Sequence, residues 1–162
     1  MIPVLAALAA FLVMEPVTAL LHRVLFHGPG KVLHNSHHRP DSRGWEANDA
    51  YPVMFAAITI VVMAIGAWRP SLGILVAIGA GVTAYGAAYA VVHDLYIHRR
   101  LPVLPDRIGW LEPLREAHRI HHLYNAAPYG MLAPVVPSEL RRRAADTTRD
   151  PIRDQAPLRP SA

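Results

Sequence analysis

Three apolar runs dominate the hydropathy pattern. Residues 1–21 carry one charge, Glu15; residues 50–68 carry none over 19 positions and residues 71–92 none over 22. A helix crossing a bilayer needs about 20 apolar residues rising about 1.5 Å each, so each run is long enough to span. Three such runs leave too little polar sequence to bury them as core helices. The first lacks a basic leading segment and holds Glu15-Pro16, so it reads as a retained span and not a cleaved signal. The second and third meet at "WRPS" (68–71), a tight turn, and form a helical hairpin. The pattern predicts an all-α integral membrane bundle of three to four spanning or membrane-embedded helices. Its polar segments, 22–49 and 93–137, carry short helices on one side. Residues 138–162 hold few apolar residues and three prolines. They read as a flexible basic tail following a 1–137 domain.

Charge placement orients the bundle. The 162-residue chain has a net charge of +4, which raises nucleic acid as a partner. Fifteen of the sixteen Lys and Arg residues, however, lie in 22–49 and 93–162, and only Arg69 lies at the hairpin tip. That asymmetry predicts a cytoplasmic face for both polar segments, with the N-terminus outside. Charge is thereby accounted for as topology. No base-stacking pattern or DNA-binding motif supports nucleic acid. Cysteine is absent, which excludes disulfides, thiolate metal sites and Cys nucleophiles. Any metal must be held by nitrogen and oxygen.

The ten histidines fall in four boxes. His22 and His27 form H-x4-H; His34, His37 and His38 form H-x2-H-H. His93 and His98 repeat the first spacing, and His118, His121 and His122 the second. Because the hairpin enters and leaves by one face, all four boxes are expected on the same side. Positions i, i+3 and i+4 share a helix face, so each three-histidine box is expected to aim at one point. The i, i+5 pairs stand roughly 140° apart on an α-helix. They are expected to straddle a site or to sit at helix ends. Breakers follow them at Gly28-Pro29-Gly30 and Pro102, Pro40 follows the second box, and Pro113 can open the helix bearing the fourth. Ten imidazoles suffice for two metals with five ligands each, and imidazole suits Fe, Zn, Cu or Ni. Glu15, two turns below His22, is an expected partner for the N–H of a liganding imidazole. Asp94, beside His93, and Asn48 and Asp49, in "WEANDAY" (45–51) with Glu46, are either further partners or helix caps. Tyr89 and Tyr85, one and two turns below His93, are candidates for a substrate pocket.

These boxes resemble those of the fatty-acid-hydroxylase and sterol-desaturase superfamily of membrane enzymes. The wording is closest to its bacterial β-carotene 3-hydroxylase branch: "MEPVTALLHRVLFHG" (14–28), "LHNSHH" (33–38), "WEANDAY", "GAGVTAYGAAYAVVHDLYIHRRLP" (79–102) and "AHRIHH" (117–122). Two features depart from that branch. Leu95 stands where glycine is usual, which makes it a further pocket candidate, and "LYNAAPYGMLAPVVP" (123–137) is shorter and cysteine-free. The resemblance implies two non-haem iron ions on the ten histidines, O2 as cosubstrate and hydroxylation of a carotenoid β-ring. It also implies an external electron donor. An acidic ferredoxin-like protein docking on the Arg-rich face fits that role. A fatty acid, sterol or other lipid is the alternative substrate. Metal transport fits poorly, since 50–68 and 71–92 hold no charge and no histidine.

Overall fold

The structure, a computed structural model, describes residues 1–39 and 45–153. The described residues form helices and turns with no strand. The helices are α1 (Ile2–Leu21), α2 (Lys31–His34), α3 (Ala50–Trp68), α4 (Ile74–Ala90), α5 (Glu112–Tyr124) and α6 (Ser138–Ala145). Three continuous helical segments, Ile2–Phe26, Ala47–Trp68 and Ile74–Ile97, are long and apolar enough to cross a membrane. α4 lies between α1 and α3 and packs on both. Leu12 and Ile60 are 70% and 66% exposed, apolar surface that lipid would cover. Trp68 is exposed at the hairpin end, Trp45 and Trp110 at the other, as expected of interfacial anchors.

Small residues set the spacing of the spans. Gly81 of α4 lies directly against the backbone oxygen of Ala7 and the Cβ of Ala10 in α1. Without a side chain there, the two backbones approach closely, as in membrane helix pairs generally. Gly79 instead meets the flexible end of Met63 from α3. At the opposite end of α3, Glu46 and Asp49 form a reciprocal capping box, and the Glu46 N–H donates to Asp49 Oδ2 at 2.9 Å. The hairpin turn is as expected: Arg69 is extended and Pro70–Leu72 form one 3-10 turn.

The segment after residue 137 differs from its reading as a tail. α6 is a helix, Ala144 and Ile152 are buried, and Ile152 joins Val92, Tyr96, Ile97, Leu111 and Met131 in one apolar cluster. Arg119 of α5 explains the order. Its guanidinium donates to the carbonyls of Ala144 (3.1 Å) and Arg149 (2.7 Å) while paired with Glu116. Arg143 adds a cation–π contact over Tyr124 at 4.6 Å. Composition alone hid this, because one half-buried arginine and one isoleucine anchor a segment that is otherwise polar. Residues 154–162 and Pro40, the expected stop of the second box, lie outside the described residues.

Gly81→Ala should destabilise the bundle by about 1–3 kcal/mol, read as a lower unfolding midpoint in detergent. Gly86→Ala, where an added Cβ meets nothing within 4 Å, should leave the midpoint unchanged. Arg119→Ala should make residues 138–153 cleavable by limited proteolysis without unfolding the spans.

Candidate metal centre

The H-x4-H pairs sit on π-helical turns. α1 continues as a π turn over His22–Phe26, and α4 over Val91–Ile97. In a π turn each N–H bonds five residues back. Here those bonds join the box histidines themselves: His27 N–H to the His22 carbonyl (3.0 Å) and His98 N–H to the His93 carbonyl (2.8 Å). The local unwinding cancels the angular offset an α-helix would impose. The paired rings therefore lie together, centroids 5.0 Å and 4.5 Å apart, and do not straddle a site. The first turn stops at its expected breaker, Gly28-Pro29-Gly30, whereas the second stops before Pro102 is reached, and Arg99 turns the chain there with a left-handed backbone (φ 53°).

The three-histidine boxes do not each aim at one point. α2 ends at His34, and His37 and His38 follow in turns. The ring nitrogens collect in two groups, one of His22, His27, His34, His38 and His121, the other of His37, His93, His98 and His118. His122 joins the second through His118, Nε2 to Nε2 at 3.0 Å. In both boxes, positions i and i+4 serve one group and position i+3 serves the other. The physical reason is crowding: the two groups are adjacent, so a box lying between them divides its imidazoles. His37 stacks towards His93 and His98 (4.8 Å and 4.3 Å), while His121 packs on His22 (4.5 Å).

Five rings are turned by what their outer nitrogens meet. His22 Nδ1 lies 3.1 Å from the Tyr129 carbonyl, His121 Nδ1 2.6 Å from the Ala126 carbonyl and His34 Nδ1 2.8 Å from Asn48 Oδ1. In the other group, His37 Nδ1 faces Glu46 Oε2 at 3.3 Å and His93 Nδ1 faces Asp94 Oδ1 at 2.8 Å. An acceptor at Nδ1 fixes the tautomer and leaves the Nε2 lone pair inward. At eight of the rings burial first, then repulsion by neighbouring positive charge, favours the neutral form. It lowers His34 to about 4 and His121 to about 3, and it lowers His27, His37, His38, His98, His118 and His122 as well. Neutral imidazole is the form that binds metal.

These observations fit two metal ions. Inward Nε2 atoms stand 2.9–3.3 Å apart along His98–His118, His93–His37, His22–His34, His34–His38 and His27–His121. Nitrogens bound at right angles to one ion with bonds of about 2.1 Å would stand about 3 Å apart.

The other expected residues separate into those that reach imidazoles and those that do not. Asn48 and Asp94 do. Asp49 instead caps α3 and pairs with Arg100 at 2.6 Å. Glu15 makes no contact with an imidazole, because its carboxylate is taken by the 131–133 backbone and by the Tyr85 hydroxyl. Tyr85 is buried in that contact, Tyr89 packs 5.1 Å from His93, and Leu95 is half-buried within the π turn. Glu46, which the sequence left open between a cap and a partner, is both: it caps the start of the second span and faces His37 through a turn that sequence spacing does not show. The Tyr129 and Ala126 carbonyls carry no sequence signal at all.

A helical membrane bundle with two imidazole groups able to hold metal at one end is the class that fold and site define. The chain belongs to the fatty acid hydroxylase family, whose model matches residues 7–136. It is 35% identical over 165 positions to the β-carotene hydroxylase of Pseudescherichia vulneris, covering 98% of this chain and 92% of that protein. Identity to the β-carotene hydroxylase of Pantoea ananas is 44% over 111 positions, covering 67% of this chain and 62% of that protein. The chloroplastic β-carotene 3-hydroxylase 1 of Arabidopsis thaliana is 35% identical over 115 positions, 68% of this chain and 37% of that protein. No solved structure matches significantly. The expected superfamily, the helical class and the hydroxylase assignment are borne out.

Asp94→Ala should weaken metal binding about 10–100-fold, measured by titrating metal-free protein with Co2+ and following its visible absorption.

Proposed function

We propose that this chain is a non-haem di-iron monooxygenase hydroxylating carbon 3 of carotenoid β-rings, converting β-carotene to β-cryptoxanthin and then zeaxanthin. One combination carries the reading: ten imidazoles gathered into two adjacent groups at one end of a bundle with three candidate spans, in a hydroxylase-family chain related to bacterial and plant β-carotene hydroxylases. All ten histidines are ligands in this reading, with Asn48, Asp94 and Glu46 orienting His34, His93 and His37.

Bound iron would supply reduction of O2 by two electrons, with one oxygen atom entering a C–H bond and the other leaving as water. The protein's part is placement. The π turns and the split boxes present neutral nitrogens on both sides of a narrow space. The Tyr129 and Ala126 carbonyls, with the carboxylates of Glu46 and Asp94, hold the ring tautomers. Burial of the rings keeps bulk water away. The site stands at the end of the spans, where a lipid-dissolved ring can reach it without leaving the bilayer. Tyr89, against His93, and Leu95 remain the residues for the ring to meet. No flavin, haem or nucleotide motif is present in the sequence, so a ferredoxin-like donor is assigned to the Arg-rich face. The chain is assigned to the bacterial cytoplasmic membrane, its histidines on the cytoplasmic side.

Pigments of a β-carotene-producing bacterium expressing the chain, resolved by chromatography and mass spectrometry, should include 3-hydroxylated β-rings. His37→Ala, His38→Ala, His121→Ala and His122→Ala should each abolish them. Unchanged β-carotene beside well-expressed, iron-loaded protein would reject the carotenoid substrate and favour a fatty acid, sterol or other lipid.

A further inference from the structure

Glu15 is a charge within an apolar span, yet every lone-pair direction of its carboxylate is occupied. Oε1 accepts the backbone N–H groups of Met131 and Ala133, each at 2.9 Å. Oε2 accepts the N–H of Leu132 at 3.1 Å and the Tyr85 hydroxyl at 2.6 Å. Tyr85 is 2% exposed and its oxygen also lies 2.7 Å from the Thr18 hydroxyl. Four donors match the roughly four acceptor sites of a carboxylate. A carboxylate at that depth is costly unless so satisfied. The three consecutive N–H groups belong to the loop that follows α5.

That loop performs a second task a few residues earlier. α5 ends at Asn125, whose left-handed backbone (φ 51°) turns the chain back over the histidines. The Ala126 carbonyl then meets His121 Nδ1 and the Tyr129 carbonyl meets His22 Nδ1. Both rings belong to the same imidazole group. In the other group, His37 and His93 take their outer contacts from Glu46 and Asp94, which lie elsewhere in the chain. Gly130, between the two sets of contacts, passes so near that an added Cβ would stand 2.6 Å from Glu15 Oε1.

We infer that Glu15 is a positioning residue for one metal site only: by gripping residues 131–133 it holds the Ala126 and Tyr129 carbonyls on His121 and His22. It acts from α1 through the loop and touches no imidazole. The inference rests on the two-metal reading and adds that the sites depend on different supports. Glu15→Gln tests it, since the amide keeps the shape but sets an N–H2 against backbone N–H donors.

Metal-free protein, full length and in detergent, is titrated with Co2+ and read by visible absorption and by the bound-metal ratio. The wild type should bind two ions. Glu15→Gln should bind one with wild-type affinity and the second about 10–100-fold more weakly. Glu46→Gln, acting on His37, should weaken the other ion. The double variant should weaken both. Gly130→Ala should reproduce the Glu15→Gln pattern from the loop side, and it serves alone if Glu15→Gln does not accumulate folded. Equal weakening of both ions in Glu15→Gln or Gly130→Ala, or of neither, overturns the inference and leaves two metals standing. A wild type that binds fewer than two ions overturns the two-metal reading and the inference with it.

Discussion

Ten imidazoles packed so that their inner nitrogens stand about 3 Å apart set the terms for everything around them. Charged, they would repel one another in a poorly hydrated space; neutral, they direct lone pairs at one another. Desolvation enforces the neutral form. The outward nitrogen of a ring then needs an acceptor, and five rings find one in a carbonyl, an amide or a carboxylate. Such an arrangement is stable where a cation can share the inner lone pairs. The π turns, the helix caps and the loop after α5 are all means of supplying that geometry.

The spans answer a simpler requirement. Their backbone groups are satisfied within each helix, as the bilayer demands, and their apolar surfaces are left outward. Few residues within them are buried, so helix contact comes from close backbone approach at Gly66 and Gly81 more than from an interdigitated core. The apolar cluster that does form lies at the histidine end, around Tyr96 and Ile97. Rigidity is thus concentrated next to the site. There the Tyr96 hydroxyl joins Glu112 and the Ile108 backbone to hold the start of α5.

The spans were legible because hydropathy acts over twenty residues and needs no knowledge of neighbours. So were the four boxes and the Gly28-Pro29-Gly30 breaker that ends the first. The i, i+5 pairs do sit at helix ends, but the alternative that they straddle a site failed for a definite reason: an angular argument assumes the α-helical rotation, and the chain departs from it at His22 and His93. The spacing was itself the clue, since H-x4-H matches the hydrogen-bond step of a π turn. The division of "HNSHH" and "HRIHH" between two groups was not legible, because it depends on where the other boxes arrive. Glu15 was expected to pair with an imidazole, whereas its partners are the Tyr85 hydroxyl and main-chain N–H groups that no residue type announces. Arg119 shows the same limit from the other side: one side chain with carbonyl partners gave order to a segment whose composition reads as loose.

The division of the boxes makes the two halves of the chain reciprocal creditors. The N-terminal half provides four imidazoles to one group and His37 to the other; the C-terminal half provides four, counting His122, to the second group and His121 to the first. Neither half can complete a five-nitrogen set alone, so a fragment from either side would be a broken clasp and not a one-metal ancestor. In the intact chain each ion would act as a rivet through both halves at once. Metal loading would then be a step of tertiary assembly as well as the arming of a catalyst.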